Sequence, residues 1–81
     1  MRVTVRLFGR LRDLAGAGTL ERDLGDGATA REAWESLVAD VPALAPYAGI
    51  VSTAVNAEFA RPTARLADGD EVAFMPPVSG G

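Results

Sequence analysis

Only one stretch of this chain carries a helical repeat long enough to build a substantial helix, and that restricts the folds open to it. Ala30, Ala33, Trp34, Leu37, Val38 and Val41 recur at i, i+3, i+4, i+7, i+8 and i+11, forming one apolar stripe. Thr29 and Glu32 stand in capping-box register just ahead of the stripe, and Pro42 closes it. Arg31, Glu32, Glu35 and Asp40 line the wet face. A helix with a single stripe must lie on something apolar. In a chain of 81 residues the remaining segments have to supply that surface.

They do so as strands. Val3, Val5 and Leu7 alternate with Arg2, Thr4 and Arg6, the period of a strand with one face on a core. Gly9 interrupts the alternation. Leu11, Leu14 and Ala15 then fall at helical spacing, which predicts a short helix ended by Gly16. Residues 18–24 suit a second strand, and Gly25-Asp26-Gly27 is a loop. Residues 43–49 read as an irregular connection with room for a single helical turn. Residues 50–55 read as a strand, Asn56-Ala57-Glu58 as a tight turn, and a short strand follows near Phe59. Ala67-Asp68-Gly69-Asp70 has turn chemistry and leads into a last strand, Glu71 to Met75. Both ends of the chain therefore supply strands. Paired side by side, they form the parallel centre of a mixed sheet. The expected fold is α+β: a β-grasp (ubiquitin-like) sheet with one main helix packed across it and a short helix after the first strand. We expect one domain over residues 1–81, with 76–81 as an extended C-terminal tail.

Composition narrows the chemistry. The chain has neither cysteine nor histidine, which removes disulfides, a thiol nucleophile, thiolate metal sites and the usual general base. That argues against a self-sufficient enzyme. A formal charge of −3 argues against a nucleic-acid partner. No apolar run is long enough to span a bilayer, and the N-terminus lacks the apolar centre of a signal peptide, so a cytoplasmic protein with no membrane partner is expected. Gly80-Gly81 adds nothing to a core, but a tail without Cβ atoms can thread a narrow channel and deliver the α-carboxylate of Gly81. A frayed end accounts for two glycines alone equally well. Asp68, Asp70 and Glu71 read as a turn and not a calcium loop, and Gly25-Asp26-Gly27 lacks the lysine and spacing of a phosphate loop.

Three segments carry a family resemblance. Phe8-Gly9-Arg10-Leu11-Arg12-Asp13-Leu14-Ala15-Gly16, Ala54-Val55-Asn56 and the run from Asp68 through Phe74-Met75-Pro76-Pro77-Val78-Ser79-Gly80-Gly81 resemble the small subunits of molybdopterin synthase, a family of ubiquitin-like sulfur carriers. The resemblance implies that an ATP-dependent adenylating enzyme activates the terminal carboxylate and that sulfur from a sulfurtransferase replaces AMP. It implies that the thiocarboxylate then donates sulfur to cyclic pyranopterin monophosphate inside the large catalytic subunit, in a heterotetramer. No permanently bound cofactor and no metal are implied; ATP belongs to the activating enzyme. The chemistry suits the residues, because activation occurs by covalent steps on the terminus and asks the carrier for no acid or base.

Gly81 is thus the candidate reacting residue and Gly80 provides tail access. Phe59, Phe74, Met75, Pro76, Pro77, Val78 and Ser79 are the candidate partner-binding residues. Alternation puts Phe74 with Val72 and leaves Met75 as the better candidate for the outer face. Pro76-Pro77 both ends the last strand and stiffens the stem of the tail. Trp34 reads as core, and Arg10 and Arg12 as solvated helix residues. Three rivals share these features: a thiocarboxylate carrier for thiamine thiazole, tRNA thiolation or cysteine synthesis; a protein modifier ligated through Gly81; and an interaction module whose tail is incidental.

Overall fold

The structure is a computed structural model that describes residues 1–77. Eight elements follow in order: β1 (Arg2–Leu7), α1 (Gly9–Ala15), β2 (Thr19–Asp23), α2 (Ala30–Asp40), a 3-10 helix (Pro42–Tyr47), β3 (Ser52–Val55), β4 (Glu58–Ala60) and β5 (Glu71–Met75). The strands form one sheet in the order β2-β1-β5-β3-β4. β1 and β5 pair in parallel, with Val5 opposite Val72 and Leu7 opposite Phe74. The other pairings are antiparallel. This is the β-grasp arrangement that the element order implied.

The alternation in the sequence becomes the inner face of the sheet. Val3, Val5, Leu7, Val72 and Phe74 are buried there, and Ala30, Ala33, Trp34 and Leu37 of α2 pack into the same core. Trp34 meets Phe74 edge to face at 5.1 Å between ring centroids, an arrangement in which the ring quadrupoles attract. Leu11 of α1, Leu44 of the 3-10 helix and Leu66 close the core's ends. α2 starts where the sequence placed it: Thr29 Oγ1 accepts from Glu32 N at 3.3 Å, and Glu32 Oε1 accepts from Thr29 N at 3.1 Å. Gly16 caps α1 at φ 75°, a left-handed angle that costs a residue with a Cβ more than glycine.

β2 is one residue shorter at each end than the expected 18–24, and two boundaries move further. The connection after α2 is a 3-10 helix over six residues, longer than a single turn, anchored by buried Leu44. β3 starts at Ser52 and not at residue 50, because the N–H groups of Ile50 and Val51 both donate to Tyr47 O, at 3.0 and 3.1 Å. Their backbone closes the 3-10 helix, so it cannot join the ladder.

Candidate functional site

The C-terminal stem leaves the sheet from its middle. β5 is held by β1 on one side and β3 on the other, up to Leu7 opposite Phe74 and Ser52 opposite Met75. Pro76 then lies against the start of α1. A Cβ built on Gly9 would come within 3.0 Å of Pro76 Cγ, and Gly9 sits at φ 54°. The glycine after β1 is therefore required twice over, by its backbone angle and by the proline ring it admits. The base of the stem is positioned from three sides. Pro76 is half-buried and Pro77 exposed, so the chain passes from packed to open surface at this dipeptide.

The loop entering β5 is pinned just as firmly. Asp68 Oδ1 accepts from Arg2 N at 2.7 Å, and Gly69 N donates to Arg2 O at 2.8 Å. Asp70 accepts from Ala67 N at 2.8 Å and from Asn56 Nδ2 at 3.0 Å. Asn56 Oδ1 in turn accepts from Glu71 N at 3.0 Å. The Ala67 N–H, then the Asn56 amide, hold the Asp70 carboxyl below the usual aspartate range. These acidic residues are structural latches, and among the described residues no cluster of acidic side chains is placed to hold a metal ion.

The face of the sheet turned away from α2 carries the exposed apolar groups. Register places Arg6, Ala73, Ala54 and Phe59 in one row across it, since Ala73 pairs with both Arg6 and Ala54, and Ala54 with Phe59. Met75 follows Ala73 on the same face. Phe59 is 82% exposed and Met75 is half-buried. The structure thus puts Phe59 and Met75, far apart in sequence, on the same face of the sheet, with β3 between their strands. Phe74 is a correction. It was expected among the partner-binding residues, but it is 1% exposed, because it faces α2 and fills the core against Trp34. Val78, Ser79, Gly80 and Gly81 lie outside the described residues.

Phe8 belongs to this surface and was not identified from the sequence as a site residue. It is extended (φ −126°, ψ 158°), so it continues the alternation of β1 onto the outer face, and it is 40% exposed. The Arg6 guanidinium lies 5.5 Å from its ring centroid, and Arg6 Nη1 is 3.6 Å from Glu71 Oε2. The signal was available: Phe8 is the next outward position after Arg6.

Exposed apolar groups on one face beside a fixed stem suit contact with another molecule. Known proteins resemble this chain over its whole length. The ThiS family profile matches residues 5–81. The chain is 39% identical over 83 residues to the molybdopterin synthase sulfur carrier subunit of Chlamydomonas reinhardtii, covering all of both chains. It is 34% identical to the protein of the same name in Arabidopsis thaliana, covering 98% of this chain and 82% of that one. The crystal structure of SAMP1 from Haloferax volcanii superposes with a TM-score of 0.87 at 32% identity over the whole of both chains. The small archaeal modifier protein 1 of that organism is 34% identical over 84 residues, covering 94% of this chain and 97% of the other.

Proposed function

This chain belongs to the ThiS family, and from that premise we propose that it is the sulfur-carrier subunit of molybdopterin synthase, with Gly81 as the residue that carries the sulfur. The observation that carries the reading is the 39% identity over the full length with the Chlamydomonas reinhardtii sulfur carrier subunit, joined to a stem anchored in the centre of the sheet. The Gly81 carboxylate attacks the α-phosphorus of ATP in the activating enzyme and releases pyrophosphate. Hydrosulfide, or a persulfide whose S–S bond a thiol then reduces, displaces AMP from the acyl carbon to leave a thiocarboxylate. The carboxylate becomes reactive only once it has acquired a leaving group, so the carrier needs no catalytic side chain of its own. This chain's residues hold and aim. β5 and the Gly9–Pro76 contact fix the stem, and Phe8, Phe59 and Met75 offer an apolar face to the large catalytic subunit, which receives the tail.

Intact mass after incubation with the cognate activating enzyme, ATP and a sulfur source tests this. The expected result is a gain equal to one oxygen replaced by sulfur, localised to Gly81. No gain, from an activator that charges another carrier in parallel, refutes it.

A second reading has one observation in its favour, the 34% identity with a protein named as a modifier. Ligation through Gly81 to lysines of other proteins would give high-mass conjugates in cells that disappear when Gly81 is deleted. The chain itself contains no lysine, so only its N-terminal amine could accept such a link.

A further inference from the structure

Arg6 stands inside the face that bears Phe8, Phe59 and Met75. Register puts it in one row with Ala73, Ala54 and Phe59, and Phe8 follows it outward along β1. Its guanidinium lies over the Phe8 ring, 5.5 Å from the centroid, so one side of the plane is already covered. Its neighbours across the ladders, Thr19 on β2 and Ala73 on β5, carry no charge. Two carboxylates stand at adjoining positions. Glu71 Oε2 stops 3.6 Å from Nη1, beyond hydrogen-bond reach. Glu21, opposite Thr4, makes no ion pair with Arg6 among the described residues. Arg2 and Arg22 are held differently. Arg2 donates to Asp23 through Nε and Nη2, at 3.1 and 3.4 Å, and Arg22 donates to Asp40 through Nη1. Arg6 donates no hydrogen bond among the described residues, and its Nε is covered without a partner. The side chain is 41% exposed, and its Nη groups keep contact with water.

A partner that covers Phe8, Phe59 and Met75 also strips that water from Arg6. A guanidinium buried with empty donors is strongly unfavourable. Glu71 does not offset this from 3.6 Å, and it loses solvent in the same step. We infer that the large catalytic subunit presents a carboxylate to Arg6 within this interface, and that the pair fixes which way round the carrier sits. The inference rests on the sulfur-carrier reading, which supplies the partner. A carboxylate meets two guanidinium N–H groups at once, so it sets orientation as well as attraction, and Phe8 holds the plane in place for it. The apolar residues around Arg6 contribute buried area, which has no direction of its own. Arg6 adds the direction that a tail entering its partner requires.

Calorimetric titration of the full chain into the large catalytic subunit tests this, with thermal unfolding of each variant checked alongside. Arg6→Gln is expected to weaken binding by about thirtyfold or more, because the partner's carboxylate is left buried without a cation. Arg6→Lys keeps the charge but not the planar fork, and its affinity is expected to fall between the two. Each acidic residue of the large subunit is then changed in turn to its amide. One such change is expected to weaken binding of the wild-type chain and to leave binding of Arg6→Gln unaltered, which identifies the pair. Arg6→Gln binding as tightly as the wild-type chain overturns the inference. So does a loss to which no acidic residue is coupled, the result if Arg6 acts only by steadying Phe8. If the wild-type chain does not bind, the inference falls together with the choice of partner. Sulfur loading at Gly81, read by mass, is decided separately from all of these.

Discussion

Single positions in this fold divide into those that hold the stem and those proposed to face a partner, and substitution separates them. Phe59→Ala removes a side chain that is 82% exposed, so folding stability is expected to hold within about 0.5 kcal/mol. Affinity for the large catalytic subunit is expected to fall about tenfold or more, as for a truncated aromatic anchor, measured by calorimetry. Gly9→Ala imposes a left-handed residue and crowds Pro76, with an expected cost of about 1–2 kcal/mol in chemical denaturation. It also displaces the stem, so sulfur transfer is expected to fall by more than the folded fraction explains. Ala57 sits at φ 70° after Asn56 at φ 50°, in the two-residue turn between β3 and β4. Ala57→Gly is expected to stabilise by about 0.5–1 kcal/mol, because glycine adopts that angle without the Cβ penalty.

Among the elements, β5 and its entry loop carry the most consequence. Phe74→Ala opens the core beneath Trp34 and is expected to cost about 3–5 kcal/mol, read by thermal and denaturant unfolding. The Asp70 latch makes the same element sensitive to acid. Its folded pKa lies below the unfolded value, so its contribution is complete above the ordinary aspartate range and is lost as pH falls through the folded value. Asp70→Ala is expected to lower stability by at most about 1 kcal/mol at neutral pH, because both bonds to the carboxylate lie open to solvent, and that difference should shrink in strong acid, measured by denaturant titrations across pH. Most of these elements were legible in the sequence because their signals are local: the alternation of β1, the capping box of α2, the turn residues before β5. What was not legible depends on competition or register. Ile50 and Val51 have the side chains of a strand, but the Tyr47 carbonyl takes both of their N–H groups. Phe8 escaped because Gly9 looked like a break, although the extended strand geometry runs one residue further than the helical spacing suggested. That Phe59 and Met75 share a face is fixed only once β4, β3 and β5 are in register.

At the scale of the whole molecule, the two faces of the sheet differ. One face is closed by α2 and the other bears Phe8, Phe59 and Met75 around the stem. No helix among the described residues is long and apolar enough to cross a membrane. If Gly81 carries the function, one extra residue after it should abolish sulfur loading while leaving the unfolding curve unchanged, a contrast that an incidental tail would not produce. The parallel pairing of β1 with β5 has a mechanical consequence as well. Met1 and Pro76 lie at opposite ends of two strands that run the same way, so tension applied between the terminus and the tail loads their ladder in shear. The hydrogen bonds then share the force instead of parting one at a time. A pull on the C-terminal end of β5 is thus borne by the whole ladder at once.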